Sequence, residues 1–102
     1  MGWMLVAFDL PVSTKDERKC ASEFRKFLLE DGYKMMQFSV YVRAVVSHAR
    51  METHLRRLKH EIPPDGQVRV IFITQSQWER SYVCNGKSLI CAEKMPEQMQ
   101  LW

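Results

Sequence analysis

The chain has 102 residues, 46% of them apolar, which is enough for one hydrophobic core but leaves no room for a second folded unit. It has no apolar run of about 18 residues and no secretion-signal pattern at its start, so we expect a soluble, cytoplasmic protein without membrane contact. Its three cysteines are odd in number and have no paired short spacing, which argues against a disulfide framework or a structural zinc site. The net charge of +3 permits a polyanionic partner without requiring one.

The first apolar run, Trp3–Phe8, predicts a buried strand that ends at an aspartate. Asp9 follows this run directly, and Pro11 cannot continue a strand ladder. A carboxylate at a strand end is held by rigid backbone, while its oxygens can reach solvent, a metal or a substrate. A turn or capping role is the alternative interpretation, because aspartate readily bonds nearby backbone amides.

A helix is predicted over about residues 14 to 31. Thr14 and Glu17 have the spacing of a capping box, and Gly32 supplies the left-handed residue that commonly follows a helix. The apolar residues between these signals share one helical face: Cys20, Ala21, Phe24, Phe27 and Leu28. A single apolar stripe of this kind predicts a helix that packs on the sheet.

From Lys34 onward the apolar period changes to two, which predicts either one long strand or two strands over residues 34–46. The alternation predicts a buried face formed by Met36, Phe38, Val40 and Val42. The opposite face would be polar and not covered by helices, and it would consist of Gln37, Ser39, Tyr41 and Arg43. An uncovered polar row must meet solvent or a partner.

The second half of the chain repeats the alternation of helix and strand. Ser47 caps a predicted helix that ends at Pro63-Pro-Asp-Gly66, and residues 67–74 form the next predicted strand. Residues 81–85 predict a further strand, and the Asn85-Gly86 turn leads to a short extra strand at 88–91. Trp78 is predicted to pack beneath the connection between strands.

This order predicts an α+β, ferredoxin-like βαββαβ sandwich in which two helices cover one face of an open antiparallel sheet and an extra C-terminal strand follows. The domain would span residues 1–91. The remaining segment, residues 92–102, contains Met95, Met99, Leu101 and Trp102. We expect so apolar a tail to dock on a partner.

In its motifs the chain resembles the small CRISPR-associated adaptation protein family, the dimeric partner of the CRISPR integrase. The similarity runs from about residue 3 to residue 83 and rests on Val6-Ala-Phe-Asp9-Leu-Pro, the basic first helix, Gly32 and Gln37-Phe-Ser39-Val-Tyr41. The family pattern has Tyr before the aspartate and Ile after it, where this chain has Phe8 and Leu10. The resemblance implies a homodimer whose sheets face each other and whose late strand extends the partner's sheet.

The resemblance also implies a catalytic site built on Asp9 and Ser39. Two-fold symmetry would bring the Asp9 side chains of both copies together, and two carboxylates can hold a hydrated Mg²⁺. Such an ion can activate water for phosphodiester hydrolysis. Ser39 would orient that water, or alternatively pair across the interface.

Basic side chains predict contacts with nucleic-acid phosphates. Cations on one surface follow a phosphate backbone without reading its sequence. The predicted contacts are Lys15, Arg18 and Lys19 at the start of the first helix and Arg43 at the end of the second strand. The basic residues of the second helix are interrupted by Glu52 and Glu61, which favours a solvated face.

The three histidines do not predict a metal site. His48, His54 and His60 are six residues apart, so each is turned by about 240° from the last around the helix. Metal ligands on a helix need spacings of three or four residues.

Three functions follow from these observations. The resemblance favours a CRISPR adaptation subunit that bridges integrase dimers and holds duplex DNA during spacer acquisition. The first alternative is a Mg²⁺-dependent endonuclease or endoribonuclease, related to toxins of this fold and able to act on single-stranded RNA. The second alternative is a ferredoxin-like interaction domain that binds no nucleic acid. DNA binding that weakens with salt separates the first two from the third.

Overall fold

A four-stranded antiparallel sheet forms the centre of the computed structural model, which describes residues 1–86 and the backbone of 88–91. Its strands are β1 (Gly2–Asp9), β2 (Lys34–Gln37), β3 (Val40–Val45) and β4 (Gln67–Thr74), in the spatial order β2-β3-β1-β4. The helices are α1 (Lys15–Glu30), α2 (His48–Glu61) and the short α3 (Gln75–Glu79). The strands β5 (Tyr82–Asn85) and β6 (Ser88–Cys91) form a separate hairpin. The predicted ferredoxin-like fold is confirmed.

Helix α1 begins and ends where the sequence predicts. Thr14 Oγ1 accepts from the backbone N–H of Glu17 at 3.1 Å, and Glu17 Oε1 accepts from the backbone N–H of Thr14 at 3.0 Å. These bonds satisfy amides that a helix N-terminus otherwise leaves open. The chain leaves α1 through Gly32, whose φ of 91° is readily adopted only by glycine.

The main core lies between the sheet and the helices α1 and α2. The ring of Phe24 meets the ring of Phe8 edge-on, with centroids 5.2 Å apart. The core consists of Met4, Val6, Phe8, Phe24, Leu28, Tyr33, Tyr41, Val45 and Leu58. Burying each of the larger side chains stabilises the fold by about 1.5–3 kcal/mol.

The opposite sheet face is covered in part by α3. Trp78 of α3 stacks on Trp3 of β1 with ring centroids 4.4 Å apart, and Trp3 Nε1 donates to Gln75 Oε1 at 2.9 Å. Val42 and Ala44 of β3 complete this smaller cluster. The prediction that Trp78 packs beneath the connection is confirmed, and the connection itself is helical.

The predicted polar face of residues 34–46 is wrong. The segment breaks into β2 and β3 at a turn formed by Phe38 and Ser39, so Ser39 is not a strand residue. Tyr41 faces the helices and stacks on Phe8, with centroids 5.7 Å apart, whereas Val42 lies in the cluster around Trp3. Both faces of β3 are largely buried, and alternation alone cannot assign the two faces of such a strand.

The part of the chain that the structure describes contains no helix long and apolar enough to cross a bilayer. The tail predicted to dock on a partner, residues 92–102, lies outside the described residues.

Candidate nucleic-acid interface

Asp9 is the last residue of β1, and its side chain is exposed. The strand pairing places it opposite Gln67, the first residue of β4. Gly66 lies directly against its backbone, because a β-carbon on Gly66 would be 2.7 Å from the carbonyl oxygen of Asp9. The carboxylate is therefore held by paired strands while it remains open to solvent.

Ser39 lies beside the end of β1 through a backbone hydrogen bond. The N–H of Phe8 donates to the carbonyl oxygen of Ser39 at 3.1 Å, which fixes the β2–β3 turn next to Asp9. Ser39 has a φ of 65°, a left-handed conformation that costs a non-glycine residue about 1–2 kcal/mol. The structure thus brings the two predicted catalytic residues to one place, although from a turn rather than from a strand face.

Asp9 and Ser39 line one groove of about 350 Å³ between α1, the end of β1 and the β2–β3 turn. Its apolar side is formed by residues such as Leu10 and Ala21. The described residues that line it are Phe8, Asp9, Leu10, Val12, Arg18, Ala21, Ser22, Arg25, Phe38 and Ser39. Among the described residues, the groove therefore combines one carboxylate, two guanidinium groups and two aromatic rings.

Two arginines supply the positive charge of the groove. Arg18 Nη1 donates to the carbonyl oxygens of Val12 and Ser13 at 3.1 and 3.2 Å, so the loop before α1 holds this side chain in place. Arg25 Nη2 donates to Ser22 Oγ at 3.3 Å. Guanidinium groups bind phosphate through planar, bidentate hydrogen bonds.

The predicted basic residues are only partly brought together. Lys15 and Lys19 are exposed on α1 but do not line the groove, whereas Arg18 does. Sequence reasoning missed Arg25 and Phe38 as groove residues. The signal for Arg25 was present, because it lies seven residues after Arg18 and so falls on the same helical face.

Arg43 does not lie at the end of a strand on an open face. Its half-buried guanidinium donates to the backbone carbonyl of Asp31 and, through Nε, to that of Ala44 at 3.1 Å. It also lies 5.9 Å from the centroid of the Tyr33 ring. These contacts tie β3 to the end of α1, so the structure gives Arg43 a packing role away from the groove.

A second polar cluster, which the sequence did not reveal, surrounds the carboxylate of Asp31. His54 Nδ1 lies 3.0 Å from Asp31 Oδ2, and Arg57 Nη1 donates to Asp31 Oδ1 at 2.9 Å. Burial lowers the pKa of His54 despite its hydrogen bond to Asp31. Burial also raises the pKa of Tyr33 to about 12, with the Asp31 charge adding to the effect, and lowers the pKa of Arg43. This cluster joins α2 to the end of α1 and lies apart from the groove.

The groove offers a Mg²⁺ ion a small set of oxygen ligands. The described residues contain no group of three or more histidine, cysteine, aspartate or glutamate side chains placed to hold a metal ion. One chain contributes the carboxylate of Asp9 and the hydroxyl of Ser39. Mg²⁺ accepts one or two carboxylates and keeps several waters, so this set fits the ion when a second copy supplies another Asp9.

Comparison with known proteins identifies the family of this chain. The family model described as CRISPR associated protein Cas2 matches residues 1–81. A protein of Flavobacterium psychrophilum named CRISPR-associated endoribonuclease Cas2 is 42% identical over 100 residues, covering 98% of this chain and 87% of its own length. A protein of the same name from Paracidovorax avenae is 44% identical over 100 residues, covering 98% of this chain and 93% of its own.

A solved structure supports the fold. The crystal structure of Streptococcus pyogenes Cas2 at pH 6.5 aligns with a TM-score of 0.58 at 24% sequence identity, covering 76% of this chain and 92% of that one. The arrangement of sheet and helices is therefore common to both proteins. Together with the family model and the close relatives, these findings show that this chain belongs to the Cas2 family of CRISPR-associated proteins.

Proposed function

We propose that this protein is a CRISPR adaptation subunit that bridges integrase dimers and holds duplex DNA by its backbone during spacer acquisition. The observation that carries the proposal is that the groove has more guanidinium groups than carboxylates. One chain supplies two guanidinium groups for phosphate, Arg18 and Arg25, but only one carboxylate, Asp9. Among the described residues, one chain thus offers two side chains suited to phosphate and one carboxylate suited to a metal ion, which supports DNA holding over metal-dependent hydrolysis.

The same proposal includes a homodimer. The sheet face not covered by α1 and α2 carries partly exposed apolar side chains, among them Leu5 and Ile71, which face each other across β1 and β4. β4 is also an edge strand of the sheet, and edge strands readily pair with another chain. A second copy laid on this face would bury the apolar surface and bring the two Asp9 side chains toward the two-fold axis.

Phosphate contact is tested by measuring duplex affinity across a salt series. Arg25→Ala is expected to weaken binding and to reduce the slope of log affinity against log salt by about one unit, because one phosphate contact is lost. Lys26→Ala is the matched control, since Lys26 is the next residue of α1, is exposed and does not line the groove. Equal slopes for wild type, Arg25→Ala and Lys26→Ala would contradict phosphate binding in the groove.

A second candidate function is Mg²⁺-dependent cleavage of RNA or DNA. It is favoured by the juxtaposition of Asp9 and Ser39 and by the names of the relatives, which are called endoribonucleases. Ser39 occupies a left-handed position that glycine would take without strain, so its hydroxyl beside Asp9 is kept at an energetic cost.

In that reaction the residues of this chain have separate roles. The Asp9 carboxylates of two copies would hold the ion, which would supply Lewis-acid chemistry and a bound water of lowered pKa. Arg18 and Arg25 would bind the phosphodiester, and the Ser39 hydroxyl would donate to a phosphoryl oxygen or orient the water. Asp9→Asn is expected to abolish Mg²⁺-dependent cleavage while dimerisation and DNA affinity persist, and cleavage by the variant at the wild-type rate would refute this role.

A further inference from the structure

Phe38 is the most exposed large hydrophobic side chain among the described residues, with 84% of its surface accessible to solvent. Burying a phenylalanine ring stabilises a protein by about 1.5–3 kcal/mol, and the exposed Phe38 ring does not contribute this stabilisation. The other residue of the same turn is Ser39, the one non-glycine residue with positive φ in the described part of the chain. An exposed ring and a strained backbone therefore occur at adjacent positions.

The backbone around Phe38 is held in place rather than loose. The pairing of β2 with β3 shifts register between Met35 and Gln37, and an irregularity of this kind re-aims the side chains that follow it. At the next residue of the chain, the carbonyl oxygen of Ser39 accepts from the N–H of Phe8 in β1. The turn is thus fixed to the central strand, and Phe38 projects from a rigid support.

The surroundings of Phe38 match a nucleotide. The ring lines the same groove as Arg18 and Arg25, whose positive charges suit phosphate, and several of the other lining residues are apolar. A nucleotide has an anionic phosphate and a flat aromatic base, and proteins that bind single strands combine a basic groove with an aromatic ring on which a base stacks.

The geometry points to Phe38 as a stacking platform for one unpaired nucleobase, on a single-stranded segment whose phosphates are bound by Arg18 and Arg25. A base inside a duplex has both faces covered by its neighbours, so the ring would select an overhang, a splayed end or a loop. This inference rests on the proposed binding of nucleic acid in the groove, and it adds which structural form of nucleic acid is recognised.

The test compares Phe38→Ala, Phe38→Leu and Phe38→Tyr with wild type on two probes, a blunt duplex and the same duplex with a single-stranded overhang. Phe38→Ala is expected to weaken overhang binding roughly 5- to 150-fold and to leave blunt-duplex binding and its salt dependence unchanged. Phe38→Tyr should retain overhang binding because it keeps the ring, whereas Phe38→Leu should lose it. Met35→Ala is the matched control, since Met35 is also exposed on the β2–β3 hairpin but does not line the groove.

A direct readout of stacking is a fluorescent adenine analogue in the overhang, whose emission is quenched by an aromatic neighbour. Quenching by wild type and Phe38→Tyr, but not by Phe38→Leu, supports the inference. Equal overhang binding by wild type and Phe38→Ala would overturn it even if salt-dependent duplex binding persists. A dimer that weakens in Phe38→Ala, measured by sedimentation, would also overturn it, because Phe38 would then be covered by a second copy. If the wild-type protein binds neither probe, that result would instead contradict the proposed function.

Discussion

The α-carbon of Gly66 packs directly on the backbone carbonyl of Asp9, the residue at the centre of the candidate site. Gly66 has a φ of 99°, and a methyl group on it would approach the Asp9 oxygen to 2.7 Å and the side chain of Leu10 to 2.8 Å. Its lack of a side chain therefore helps to fix the end of β1.

Gly66→Ala is expected to destabilise the protein by about 1–3 kcal/mol, because it combines an unfavourable φ with a backbone clash. Gly86→Ala is the matched control, since Gly86 also has a positive φ of 64°, but no atom of the described residues lies within 4 Å of the position of its β-carbon. Chemical denaturation should show a larger loss for Gly66→Ala than for Gly86→Ala. Equal losses would show that the contact with Asp9 contributes nothing.

Ser39→Gly is expected to raise the free energy of unfolding by about 0.5–1 kcal/mol. It removes a left-handed strain of about 1–2 kcal/mol and adds a glycine entropy cost of about 0.5–1 kcal/mol. If the hydroxyl serves cleavage, the same variant loses activity as it gains stability, whereas Ser39→Ala loses activity without that gain. A Ser39→Gly protein that is less stable than wild type would refute the strain.

The sequence identified the features whose signals are local. The capping box of Thr14 and Glu17, Gly32 after the helix, and Asp9 at the strand end all lie where predicted. Helix α3 was missed as a helix, although Thr74 and Gln77 form a second capping box that the sequence displays. Short-range rules suffice for such features because the groups involved are three or four residues apart.

The features that sequence reasoning missed depend on tertiary contacts. The Phe38-Ser39 turn contains no glycine, asparagine, aspartate or proline, so the sequence did not locate the break between β2 and β3. The pairing of His54 with Asp31 joins residues 23 apart in sequence, and no local pattern indicates it.

The cluster around Asp31 predicts that stability falls in acid. His54 is buried, its Nδ1 lies against Asp31, and among the described residues no partner reaches its Nε2. A proton on Nε2 would be buried without an acceptor, and Arg43 and Arg57 add positive charge nearby. Burial lowers the pKa of His54 from its ordinary value of 6.5. The neutral His54 side chain therefore stabilises the folded protein above pH 6.5, and this stabilisation is lost as the pH falls through the folded-state pKa.

The measurement is the thermal midpoint between about pH 7 and about pH 5, the range in which an ordinary histidine titrates. Wild type should lose stability toward the acid end, and His54→Gln should show a shallower dependence. His60→Gln is the control, because His60 is an exposed histidine of the same helix. Identical pH profiles for wild type and His54→Gln would show that other groups cause the loss.

The stacking of Trp78 on Trp3 predicts that α3 depends on this pair. Trp78→Ala should cost about 3–5 kcal/mol of unfolding free energy, because a nearly fully buried ring is removed. Trp78→Phe keeps an aromatic ring against Trp3 and should cost less. Denaturant unfolding of the two variants tests this, and a Trp78→Ala loss below about 1 kcal/mol would contradict the packing role.

The assembly formed with the integrase and duplex DNA tests the central proposal most directly. Sedimentation of that mixture should give the same bridged complex for wild type and for Asp9→Asn, because holding DNA does not require the carboxylate. The double variant Arg18→Ala, Arg25→Ala should lose duplex from the complex, because both groove cations are removed. No bridged complex with wild type, or a complex that forms with wild type but not with Asp9→Asn, would contradict the role of this protein as a DNA-holding subunit.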